Sequence, residues 1–187
     1  MREVFIAGIG QSPVRRGDPT SLRTLGASVV RAAIADAALG EPTALVVGNM
    51  LGGTLCHQRQ LGIAIAERAG LVGIEATRVE AACASGAAAL RQGVLAIASG
   101  EHDIVVVCGV ERMTHADKDT VTHGLATASD WENEGAHGET FLSLNAALTA
   151  RYLETHGLSA SALAPFSMTA HANAARNPNA LLRKSVT

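Results

Sequence analysis

The chain has 187 residues, 48% of them hydrophobic, 17% charged and 3% aromatic, with 19 Gly against 5 Pro, the profile of a folded body whose core is built from Ala, Val, Leu and Ile. Its 15 Lys and Arg against 17 Asp and Glu leave a formal charge of -2, which gives no basic field to hold nucleic acid or an anionic membrane. No run approaches the roughly 20 apolar residues that span a bilayer and no leader-like segment opens the chain, so the expected location is the cytoplasm.

Val4 to Ile9 is an apolar run closed by Gly8-Ile9-Gly10 and followed by Pro13, Gly17, Asp18 and Pro19, which predicts a first strand and an irregular exit loop. From Ser21, the spacing of Leu22, Leu25, Val29, Val30, Ile34 and Ala37 predicts a helix stopped by Gly40 and Pro42. Ala44 to Gly48 reads as a strand, Gln58 to Ala69 as a helix ended by Gly70, and Ala76 to Glu80 as another strand. Gly52-Gly53 lacks the Lys-Ser/Thr of a phosphate loop and reads as a tight turn. Cys83 then opens a small-residue helix through Leu90, Val94 and Ile97 to Gly100, and Asp103 to Val110 is a continuous apolar strand. Strands alternating with helices predict an α/β fold, a parallel-rich sheet with helices on both faces.

From Glu111 to Gly138 the chain is polar and punctuated by Gly and His, and it holds the sole Trp, Trp131. Two helices are predicted beyond it, Glu139 to His156 and Ala162 to Ala175, the second closed by Asn177-Pro178. The change of rhythm places a boundary near residue 115, dividing a core, 1–115, from a helical region, 116–187.

Three cysteines, Cys56, Cys83 and Cys108, are an odd number without metal-ligand pairing, so they are core fillers, free thiols or a nucleophile. Cys108 lies mid-strand and reads as core, while Cys56 sits in a Gly-rich loop beside His57. Cys83 follows a strand and precedes a helix. Unsatisfied backbone N–H groups and the positive end of the helix dipole favour a thiolate there, and the same N–H groups stabilise an oxyanion. A small buried hydrophobe remains the other reading of Cys83. The histidines, His115, His123 and His137 among them, follow no ligand spacing, so no metal is expected. Glu80 and Glu111 flank the nucleophile strand and the next strand exit, and hydrogen-bonded structural roles are expected of them.

The run Glu80-Ala81-Ala82-Cys83-Ala84-Ser85-Gly86 resembles the nucleophile motif of thiolases. Gly109-Val110-Glu111-Arg112-Met113-Thr114 is similar to that family's Gly-x-Glu-x-Met-Ser/Thr strand exit, and Val4 to Gly10 with Pro13 to its first strand. Ala126 to Asp130, Arg151-Tyr152, Asn177 to Ala180 and Leu182 to Lys184 extend the likeness over essentially the whole chain, most of all to the sterol-carrier-protein-x branch and the archaeal acetoacetyl-CoA thiolases. Ketoacyl synthases and hydroxymethylglutaryl-CoA synthases fit Ala84-Ser85-Gly86 less well.

The resemblance implies a thiolase-like layered fold, of which residues 1–115 are the N-terminal core half and 116–187 the loop domain. It implies that Cys83 becomes the acyl-enzyme, with its backbone N–H in an oxyanion hole, and that His137 and Gly138 line the substrate pocket. Coenzyme A thioester enters as substrate and no cofactor is called for. Thiolases are about twice this length, with a catalytic His and a second Cys in their second half, and their first half closes with one further strand. Neither appears here. The expected assembly is therefore an oligomer with a complementary C-terminal half or a homologous chain, an acyltransferase acting on 3-ketoacyl-CoA in lipid metabolism. Two other readings stand beside it: a non-catalytic truncated subunit acting in assembly or scaffolding, and one piece of an enzyme cleaved near Thr187.

Overall fold

The computed structural model describes residues 2–187. The chain divides into two compact units, one comprising the residues up to Ser12 together with Asp18–His115, the other Pro13–Gly17 and Ala116–Thr187.

The first unit is an α/β layer structure. Its helices are α1 (Leu22–Ala37), the single turn α2 (Gly52–Leu55), α3 (Leu61–Ala69) and α4 (Ser85–Ser99). Its strands are β1 (Ala44–Gly48), β2 (Glu75–Val79) and β3 (Val105–Gly109), in the order β2-β1-β3, all parallel, with Val47 paired to both Arg78 and Cys108. The central strand β1 is buried throughout, which is why it reads as an unbroken apolar run rather than an alternating one.

Leu45, Val47, Val106 and Cys108 join Leu22, Ala27 and Val30 of α1 and Leu61, Ile65 and Ala66 of α3 in one core. On the other face α4 presses its Gly93 against β3, where an added Cβ would meet Val107 at 2.7 Å. Local chemistry sets the helix ends. The Ser21 hydroxyl accepts from the Thr24 N–H at the start of α1, and Gly70 and Gly100 close α3 and α4 in left-handed conformations.

Three sequence expectations change. Val4 to Ile9 forms no strand, because among the described residues Val4–Gly8 has no strand to pair with. Its glycines instead run against α1, where a Cβ at Gly8 would meet the Ala33 carbonyl oxygen at 2.5 Å, and the Ile9 N–H donates to the Asp36 carboxylate at 2.9 Å. Phe5 and Ile6 are left 77% exposed. Gly52-Gly53 opens α2 rather than a simple turn, and the following helix begins only at Leu61.

The second unit carries α5 (Lys118–Ala126), 3-10 turns at Gly135–His137 and Ala160–Leu163, α6 (Phe141–Thr155) and α7 (Ala164–Arg176). The two long helices fall where the apolar spacing puts them. Helix α5 escaped notice because its signal is a cap rather than an apolar face: the Asp117 carboxylate accepts the Thr120 N–H at 2.9 Å and its hydroxyl at 2.6 Å. These two bonds hold the Asp117 carboxyl below the usual carboxylate range. Thr140 and Ser143 form a reciprocal capping box at the start of α6. No helix among the described residues is long and apolar enough to cross a membrane.

Candidate active site

The carboxyl ends of parallel strands are where an α/β sheet offers a site, and here polar side chains lace the three ends together. Asn49, one residue past β1 and 2% exposed, donates through Nδ2 to the Val110 carbonyl and to Glu111 Oε1, both at 2.9 Å. Its Oδ1 accepts the Gly52 N–H at 2.9 Å and Arg78 Nη1 at 3.3 Å. The other Glu111 oxygen accepts the Met50 and Leu51 N–H groups at 3.0 Å each. Arg78, at the end of β2, donates to the Asn49 carbonyl at 2.9 Å. The side chain of Asn49 thus uses both donors and both acceptor positions.

Beyond β2 the chain turns sharply into α4. Glu80 Oε1 accepts the Ala82 N–H at 2.6 Å, and Ala82 takes a φ of 49°, a left-handed conformation that costs a non-glycine residue about 1–3 kcal/mol. The Ser85 hydroxyl, inside the turn and 5% exposed as a residue, accepts the Ala81 N–H at 2.9 Å and donates to the Ala82 carbonyl at 2.6 Å. Gly48 makes room for the turn, since a Cβ there would collide with the Ser85 carbonyl. Cys83 stands on this turn with an exposed thiol, two residues before the first residue of α4. The reading of Cys83 as a buried core residue is thereby removed.

The other two thiols sit differently. Cys108 is 3% exposed in β3, and burial pushes its thiol up to about 11. Cys56 is half-buried, and burial raises its thiol against the opposing pull of the Arg112 guanidinium. Its Sγ lies 3.8 Å from His115 Nε2, which also stands 3.0 Å from the Leu55 carbonyl. A carbonyl only accepts, so Nε2 carries the ring hydrogen.

His123 packs edge-on against Trp131 with ring centroids 4.9 Å apart, and His137 ends the 3-10 turn that Gly138 closes at a φ of 90°. His137 and Gly138 belong to the second unit and Cys83 to the first. Sequence reading singled out Cys83, Glu80 and Glu111 but passed over Asn49, Arg78 and Ser85. For Asn49 the available signal was a lone polar residue directly after an all-apolar strand; for Ser85 it was its place inside the nucleophile motif.

The family model described as the thiolase N-terminal domain matches residues 5–186. An acetyl-CoA acetyltransferase of Methanothermobacter thermautotrophicus is 42% identical over 189 residues, covering all of this chain and 49% of that protein. A second, from Methanocaldococcus jannaschii, is also 42% identical, over 191 residues and 48% of its length. The chain therefore spans about half the length of these relatives. Among solved structures, an Ltp2-ChsH2(DUF35) aldolase superposes with a TM-score of 0.78 over 97% of this chain and 46% of that one, at 21% identity, a likeness of fold. With a family match from end to end, and with the motif cysteine standing on a strand-to-helix turn, this chain belongs to the thiolase family, whose N-terminal domain it carries.

Proposed function

We propose that the chain is the nucleophile-bearing half of a thiolase-type acyltransferase that cleaves or forms 3-ketoacyl-CoA. The observation that carries the reading is the exposed Cys83 thiol on a strained turn directly before a 15-residue helix. In the cleavage direction the Cys83 thiolate attacks the keto carbonyl of the substrate. The bond between the α and β carbons breaks, the α carbon takes up a proton and leaves as acetyl-CoA, and the shortened acyl group remains as a thioester on Cys83. Coenzyme A then attacks that thioester, its thiol proton passing to a base, and the Cys83 thiolate is restored. The Cys83 backbone N–H suits the oxyanion of both steps, whereas the Ala84 and Ser85 N–H groups are engaged by the Ala81 and Ala82 carbonyls. His137 and Gly138 are assigned to the acyl-binding surface on the family resemblance.

Two proton transfers in this scheme each call for a positioned acid or base worth about 100- to 10,000-fold. The resemblance assigns those groups to a second half. An apolar slot in the first unit supports the reading that further chain is needed. A cavity of about 400 Å³ is lined by Val4–Gly8, by Ile104–Val107, by Ala33 and Ile34 of α1 and, from the other face, by Leu90 and Val94 of α4. A further cavity of about 210 Å³ shares Gly8, Ala33 and Val107 with it. Two edges that lack strand partners on either side of one apolar slot suit an inserted strand, which would satisfy backbone groups on both.

Assaying acetoacetyl-CoA cleavage with added CoA tests the reading. The purified chain should show at most a slow burst of acylated Cys83 without turnover, sustained cleavage should appear on adding a complementary C-terminal half, and Cys83→Ser should abolish both. Sustained CoA-dependent cleavage by the chain alone would put the acid and base in the wrong polypeptide.

A further inference from the structure

We infer that Ser85 is the positioning residue of the nucleophile turn: its hydroxyl holds Ala82 in the left-handed conformation that aims Cys83 along the N-terminus of α4. A serine in the first turn of a helix ordinarily caps it or faces water. Ser85 does neither. Its Oγ turns back across the turn, accepting from the Ala81 N–H at 2.9 Å and donating to the Ala82 carbonyl at 2.6 Å, so one atom ties the peptide that enters Ala81 to the peptide that leaves Ala82. Glu80 holds the remaining Ala82 N–H at 2.6 Å.

A left-handed alanine persists only where its surroundings over-determine it. Here three side-chain hydrogen bonds do so, and two of them come from Ser85. The hydroxyl is shielded from water, so its bonds are not traded freely for solvent, whereas Glu80 is exposed. Without the hydroxyl, the Ala81 N–H loses its acceptor and the Ala82 carbonyl keeps only the Ser85 backbone N–H at 3.1 Å, so Ala82 relaxes toward negative φ. Because Cys83 is the next residue, that rotation swings its thiol away from its place on the exposed turn before α4.

The role assigned to Ser85 rests on the acyl-transfer reading for its meaning in catalysis. Its test, however, needs neither acyl-CoA nor a second half, so the two fail separately. The rate of Cys83 alkylation by iodoacetamide near neutral pH, read by peptide mass spectrometry on the full chain, should fall about 5- to 50-fold in Ser85→Ala. Glycine adopts positive φ without the steric cost that alanine bears, so the double variant Ala82→Gly, Ser85→Ala should recover to within about threefold of the wild-type rate. Cys108, 3% exposed, reports in the same samples on whether the unit stays folded. A wild-type rate in Ser85→Ala overturns the assignment, as does a double variant no faster than the single one. Labelling of Cys108 in Ser85→Ala overturns it too, since Ser85 would then be supporting the whole unit rather than the turn.

Discussion

Asn49 and Glu111 are joined at 2.9 Å through an amide donor and a carboxylate oxygen, and each side chain also holds backbone belonging to the other's strand exit. The pair ties the loop after β1 to the loop after β3. In Asn49→Ala the Gly52 N–H and the Val110 carbonyl lose their partner beside a fully buried position. A loss of about 2–3 kcal/mol is expected, read as a fall in thermal midpoint of roughly 5–10 °C. An unchanged midpoint would mean that water satisfies these groups as well as Asn49 does.

The three thiols should separate by reactivity. Cys83 is exposed, Cys56 half-buried with its thiol raised, and Cys108 buried with its thiol at about 11. Near neutral pH, iodoacetamide should modify Cys83 first, Cys56 slowly and Cys108 not at all. Modification of Cys56 ahead of Cys83 would contradict the proposed nucleophile.

Alkali should destabilise the first unit through Cys108. A thiol raised by burial stays protonated in the folded chain after its unfolded counterpart has ionised. The unfolded state therefore binds fewer protons between about pH 9 and 11, and stability falls across that window. The loss is about 2–3 kcal/mol at the upper end. Denaturant midpoints measured from pH 8 to 11 should decline more steeply in the wild-type chain than in Cys108→Ala, and parallel declines would remove Cys108 as the cause.

The chain should associate rather than remain a lone 19.2 kDa species. Phe5, Ile6 and Ile9 are each at least 74% exposed along a segment without strand partners, an arrangement that folded monomers avoid. Light scattering behind size exclusion should report a larger mass, and Ile6→Lys should lower it. A monodisperse, well-folded monomer at micromolar concentration would count against a required partner.

Much of this architecture is legible because it is local. Apolar spacing marks α1, α4, α6 and α7, and Gly70 and Gly100 mark the ends of α3 and α4. What stayed hidden depends on partners distant in sequence. Val4 to Ile9 has the composition of a strand, but a strand exists only with a neighbour, and none lies among the described residues. Asn49 and Arg78 look unremarkable until the sheet brings the ends of β1, β2 and β3 side by side. The thiol was visible from its motif, whereas the left-handed Ala82 beneath it was not, because nothing about an alanine announces a positive φ.

The packing of His123 on Trp131 has a consequence for anyone who watches this protein unfold. Trp131 and Tyr152, the sole Trp and Tyr, both lie in the unit of Pro13–Gly17 and Ala116–Thr187, and the first unit has only Phe5 among the aromatics. Intrinsic fluorescence therefore reports on one unit and is blind to the one that carries Cys83. A melt followed by tryptophan emission alone can register a transition while the sheet is intact, or miss the loss of the sheet altogether.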